Sequence, residues 1–156
     1  MDNVVASYKV GDVIKGPVRY MTPERIEWYD SGMLSAAKGE LAQVGANIHT
    51  DDEFARSQGL PAVIADGMIM TNWCSEMMVA HFGMDYLSRG ELRTKFIKPV
   101  FLDETVSVFA KVLTIEPSGN GGRTYVLDVW CENDKGVKVT DGHARVETGG
   151  RTRSAT

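Results

Sequence analysis

The spacing of the apolar residues changes once along this chain, and that change limits the folds open to it. From Gly67 to Phe82 the run GMIMTNWCSEMMVAHF puts apolar side chains on most faces of a helix, which predicts a helix buried nearly all round. Gly83 is placed to end it. Beyond Gly83 the alternation becomes twofold. Leu92 to Ile97 precedes Pro99, and Thr105 to Ile115 sets Val106, Val108, Ala110 and Val112 on one face before slipping at Leu113. Thr124 to Glu132 sets Tyr125, Leu127 and Val129 against Val126, Asp128 and Trp130, and Val137 to Val146 completes the set. Gly119 to Gly122 and Asn133 to Gly136 have the composition of hairpin loops. One buried helix followed by about three long antiparallel strands predicts an α+β solution, a sheet wrapped around a single helix.

The preceding residues are less regular. Tyr8 to Gly16 reads as an extended lead-in with a turn at Gly11-Asp12. Thr22-Pro23-Glu24-Arg25 has the order of a helix start, with Thr as N-cap and Pro at the first helical position. Ile26 and Tyr29 then share one face, flanked by Trp28. Between Asp30 and Gly45, Met33, Leu34, Ala37 and Leu41 keep a helical stripe that Gly32 and Gly39 interrupt. Asp51-Asp52-Glu53 opens a short helix closed by Gly59. No repeat or linker divides the chain, so residues 1–148 are expected to form one domain, followed by a polar, disordered tail over 149–156.

A net charge of -4 speaks against generic nucleic-acid binding, which favours basic surfaces. Cys74 and Cys131 lack metal-ligand or CxxC spacing and are expected as buried apolar residues of a reducing compartment. No secretory pattern and no run of membrane-spanning length is visible, so a cytoplasmic location is expected.

His49 is the candidate for chemistry. It stands in the polar run Ala46-Asn47-Ile48-His49-Thr50-Asp51-Asp52, shortly before Asp66-Gly67-Met68 opens the apolar helix. An imidazole there is a candidate proton-transfer group, expected beside a row of free backbone N–H donors.

The order of these pieces resembles the hotdog fold, and the residues narrow it to the MaoC-like dehydratase and (R)-specific enoyl-CoA hydratase family. Val10-Gly11-Asp12 looks like the family's opening VGD, and Thr22 to Ile26 like its T-x-E-x-I helix. Asn47-Ile48-His49-Thr50-Asp51 is similar to N-P-x-H-x-D, and Asp66-Gly67-Met68 to H-G-M. Phe96 to Val106 resembles the F-x-x-P-V-x-x-G-D-x-V strand pair. The resemblance spans nearly the whole chain. It implies an acyl-thioester hydro-lyase acting on acyl-CoA or acyl-carrier-protein thioesters, with no metal and no redox cofactor. It also implies a homodimer or higher homo-oligomer with a continuous sheet. His49 would then move the proton, and the amides of Gly67 and Met68 would bind the thioester carbonyl, with Gly67 admitting the substrate close to the backbone.

Two positions depart from the family pattern. Val44 stands where an aspartate is usual, five residues before His49, and Asp66 stands where a histidine is usual. Either Asp66 takes the acid/base role beside His49, or a carboxylate from the longer intervening segment does, such as Glu40 or Asp30. Otherwise the dyad is gone. Two rivals therefore stand beside the hydro-lyase: an acyl-CoA thioesterase on the same fold, and a non-catalytic acyl-CoA-binding partner subunit. Asp51 and Asp66 also have the bland reading of helix caps. His81 reads as structural and His143 as packed or exposed rather than chemical, and Arg93, Lys95 and Lys98 as either solvated cations or contacts for CoA phosphates.

Overall fold

A computed structural model of the chain describes residues 7–38, 45–119 and 121–149, with the backbone alone over 31–38. In chain order its elements are β1 (Val13–Tyr20), α1 (Pro23–Lys38), α2 (Asp52–Ser57), α3 (Gly67–Arg89), β2 (Gly90–Phe96), β3 (Thr105–Pro117), β4 (Arg123–Asn133) and β5 (Lys138–Glu147). The strands form one antiparallel sheet in the order β1-β3-β4-β5-β2. Helix α3 packs on it, the sheet-around-helix arrangement expected from the change of period and the hotdog fold that the resemblance implies.

The core is the meeting of those two patterns. From α3 come Ile69, Met70, Trp73, Cys74, Met77, Met78, Phe82 and Tyr86, and from the strands Val106, Val108, Ala110, Val112, Tyr125, Leu127, Val129 and Cys131. Each large apolar side chain so buried contributes on the order of 1.5–3 kcal/mol, before chain entropy is set against it. The expected burial of α3 on nearly all faces is narrower in fact. Met68, Asn72, Glu76 and Ala80 recur every fourth residue on an exposed stripe. Met70, Met77 and Met78 belong to the core, while Met68 is 41% exposed.

Gly83 breaks the helix where expected. Its φ of 54° and ψ of -133° interrupt the helical geometry, but a further helical stretch resumes and runs to Arg89. The slip anticipated at Leu113 is a register shift between Val112 and Thr114 in the β3–β4 ladder.

The lead-in expected to end at Gly16 continues as β1 to Tyr20 and pairs with β3 along the sheet edge. Pro17 falls within its register shift, between Lys15 and Val18, where a missing N–H removes no ladder bond.

Helix α1 starts at Pro23 behind the Thr22 cap, whose hydroxyl accepts from the Arg25 amide. It runs through Gly32 to Lys38, with Ile26 buried and Trp28 exposed. The stripe side chains Met33, Leu34, Ala37 and Leu41, the candidates Glu40 and Val44, and the tail after Gly149 lie outside the described residues. Among the described residues no helix is long and apolar enough to cross a membrane.

Candidate active site

The His49 loop is fixed by backbone hydrogen bonds to the segment entering α3. The amides of Thr50 and Asp51 donate to the Asn47 carbonyl, forming a tight turn, and Ile64 N–H donates to the Ile48 carbonyl. Ala65 N–H in turn donates to Val100, and Ile64 bridges Phe101. His49 Nδ1 lies 2.8 Å from the Ile64 carbonyl oxygen. A carbonyl only accepts, so Nδ1 carries the hydrogen and the neutral ring keeps its lone pair on Nε2. That is the tautomer a general base needs.

Asp66 begins α3 as its N-cap, and its Oδ1 accepts from the Met68 amide at 2.7 Å. The capping reading of Asp66 therefore holds, and one of the two amides expected to bind a carbonyl is already engaged. Among the described residues the Gly67 N–H has no hydrogen-bond partner. The space beside Gly67 holds the ring of Phe96: a Cβ built on Gly67 would lie 2.4 Å from Phe96 Cδ2. A side chain at 67 would have to displace this aromatic neighbour at the mouth of the helix.

Asp30, on α1, joins these two residues. Among the described residues, donor atoms of Asp30, His49 and Asp66 lie within 4.8 Å of one another, all three half-buried. One water hydrogen-bonded to two groups spans roughly 4.5 Å between them, so the spacing suits a shared water. The same trio has the donor set to hold a small cation. Asn47 holds the Asp30 carboxylate through Nδ2 at 3.0 Å and accepts the His49 N–H at 2.7 Å.

A cavity of about 320 Å³ opens beside His49, the one member of the trio that lines it. His49 and Gly67 lie at its wall, with Met70, Phe96, Val100 and Lys98 among its other lining residues. Tyr29, the neighbour of Asp30 on α1, has its hydroxyl pKa pushed up by burial and by the negative charge of Asp66, against a hydrogen bond with Asn72.

The remaining candidates separate clearly. Asp51 caps α2 through the Phe54 amide. His81 pairs with the Tyr8 hydroxyl, away from the site, and His143 is exposed on β5. Arg93 and Lys95 are exposed on β2, and Lys98 lines the cavity. Cys74 and Cys131 are free and buried, as expected, but their sulfurs lie 3.6 Å apart. The Cys74 contact and burial push the Cys131 thiol far above its ordinary range, so it stays protonated and unreactive. Sequence reasoning missed the roles of Asn47 and Phe96. Asn47 had a signal, a polar side chain two residues before a candidate histidine; Phe96 had none locally.

A family model described as MaoC like domain matches residues 46–129, just over half of the chain. No curated protein matches. Among solved structures, the monoamine oxidase regulatory protein from Archaeoglobus fulgius is 20% identical, with a TM-score of 0.69 over 94% of each chain. The R-hydratase PhaJ1 from Pseudomonas aeruginosa is 20% identical, with a TM-score of 0.67 over 97% of this chain and 90% of that one. A MaoC-like dehydratase from Rhodospirillum rubrum is 18% identical, with a TM-score of 0.71 over 95% and 97%. At such identities the likeness is one of fold.

Proposed function

The chain belongs to the MaoC-like domain family, and we propose that it adds water across the double bond of a 2-enoyl thioester, or removes it from the 3-hydroxyacyl product. The observation that carries this reading is the convergence of Asp30, His49 and Asp66 beside the start of α3. In the hydration direction, water's oxygen bonds to the β-carbon, a proton is lost from that oxygen, and a proton is added to the α-carbon. Negative charge collects on the thioester carbonyl between those events. The Gly67 N–H, at the positive end of α3, is the donor for that oxygen, and one such donor is worth on the order of 3 kcal/mol.

His49 is the proton-transfer residue in this scheme, acting through Nε2. Asp30 is the second carboxylate and holds the water with it, standing in for the aspartate that Val44 replaces. Asp66 keeps one oxygen on the Met68 amide, and its carboxylate stays within 4.8 Å of the other two groups. The apolar cavity beside His49 suits an acyl chain, and Lys98 at its wall suits an anionic carrier. Both CoA and acyl carrier protein offer such a group. A homodimer remains part of the proposal, supported by the sheet order, which leaves β1 and β2 as outer strands.

The test is incubation with trans-2-enoyl-CoA substrates of short, medium and long chain. Loss of the enoyl ultraviolet absorbance without release of free thiol is the expected result. Thiol release from a saturated acyl-CoA would establish the thioesterase instead. A wild type that binds acyl-CoA but neither hydrates nor hydrolyses it would establish the binding subunit.

A further inference from the structure

We infer that Asn47 is a positioning residue that fixes the Asp30 carboxylate against the His49 loop; the inference rests on the reading of Asp30 as the carboxylate that works with His49. The two ends of the Asn47 amide meet chemically opposite partners. Oδ1 accepts the His49 N–H at 2.7 Å, and Nδ2 donates to Asp30 Oδ2 at 3.0 Å and to the Gly45 carbonyl at 3.3 Å. Turning the amide over would set oxygen against carboxylate and carbonyl oxygens, and NH₂ against N–H. Every contact would become repulsive, so the orientation is locked.

The consequence is geometric. Asp30 and Asn47 are 17 residues apart in sequence, on α1 and on the loop. Among the described residues this bond is the hydrogen bond that ties α1 to the loop carrying His49. Its planar amide transmits the position of the His49 backbone, itself anchored to Ile64, onto the carboxylate of another element. Misplacing a group that orders the attacking water by about 1 Å costs on the order of 10²-fold in rate.

Two substitutions separate this role from general support of the loop. Asn47→Ala removes the Asp30 donor and the loop acceptor together. Asn47→Asp keeps an oxygen for the His49 N–H but sets a second carboxylate against Asp30, so that the pair shares a proton. The described titratable groups converging with Asp30 are His49 from the loop and Asp66 from the start of α3, and both are unchanged in these variants.

For Asn47→Ala the expected result is a kcat lower by about 10- to 100-fold with KM within about threefold. For Asn47→Asp the acid limb of the kcat/KM profile moves up by about one pH unit or more, with activity recovering above it. In an Asp30→Asn background, Asn47→Ala lowers kcat by less than about threefold, because no charge is left to position. Equal losses from Asn47→Ala in both backgrounds, or a wild-type acid limb in Asn47→Asp, overturn the inference while leaving the reading of Asp30 intact. Near-wild-type turnover in Asp30→Asn alone overturns that reading, and the inference with it. Should Asn47→Asp fail to fold, the cycle of Asn47→Ala with Asp30→Asn decides.

Discussion

His49 donates its Nδ1 hydrogen to the carbonyl of Ile64 at 2.8 Å, and Ile64 returns its own N–H to the carbonyl of Ile48. The imidazole is therefore held by the strand-like segment that leads into α3, and its tautomer is set by a backbone group that cannot titrate. An imidazole so mounted keeps one nitrogen free while the other fixes its direction.

Asp66 has two separable roles, one as a cap and one as a charge. Asp66→Ala removes the acceptor for the Met68 amide and is expected to cost about 1 kcal/mol. Asp66→Asn keeps an acceptor and is expected to stay within a few tenths of that energy of wild type, with kcat within about tenfold. Chemical denaturation and turnover measured on the same samples check this. A stable Asp66→Asn protein whose kcat falls by 10²-fold or more would move the second-carboxylate role from Asp30 to Asp66.

Gly67 and Phe96 are expected to be coupled. Alanine at 67 drives a methyl into the Phe96 ring, an overpacking that costs roughly 1–3 kcal/mol. Phe96 is 46% exposed and has room to swing outward, which places the cost at the lower end. In a double-mutant cycle, Gly67→Ala with Phe96→Ala should recover much of the Gly67→Ala loss. Denaturation midpoints that simply add would show that the ring does not set the need for glycine.

Stability is expected to fall as pH rises above about 9. The Cys131 thiol is held protonated by its Cys74 contact and by burial; Tyr8 and Tyr29 are raised chiefly by burial, and Tyr20 by its hydrogen bond to Asp103. Each raised group binds its proton more tightly folded than unfolded, so its stabilisation is complete below the unfolded value and lost as pH climbs towards the folded one. Unfolded thiols titrate first, near pH 8.5, and tyrosines near 10. Melting curves between pH 7 and 11 should show a flat Tm and then a decline. Cys131→Val should delay its onset, and a Tm level to pH 11 would contradict the assignment.

The sheet and the buried helix were legible because their cause is local: one side-chain period per element. Even the irregularities at Leu113 and Gly83 left marks, a broken alternation and a glycine. The second half of β1 was not, because Gly16-Pro17 spoils the alternation at an edge where the register shifts. In the site, His49, Asp66 and Gly67 stand out by type and order, while Asp30 was one carboxylate among several. What brings it to His49 is the path of α1 and the reach of Asn47, neither of which is written as a spacing. The Cys74–Cys131 and Gly67–Phe96 contacts are likewise products of packing between helix and strand.

The most direct measurement is turnover of a trans-2-enoyl-CoA by wild type and by His49→Ala, followed as loss of enoyl absorbance. Removal of the proton-transfer residue should lower kcat by 10²- to 10⁴-fold, with a melting temperature lowered by only about 2–4 °C through the lost bond to Ile64 and no thiol released by either protein. Equal hydration rates in the two proteins would contradict the role given to His49 and, with it, the hydro-lyase site at the start of α3.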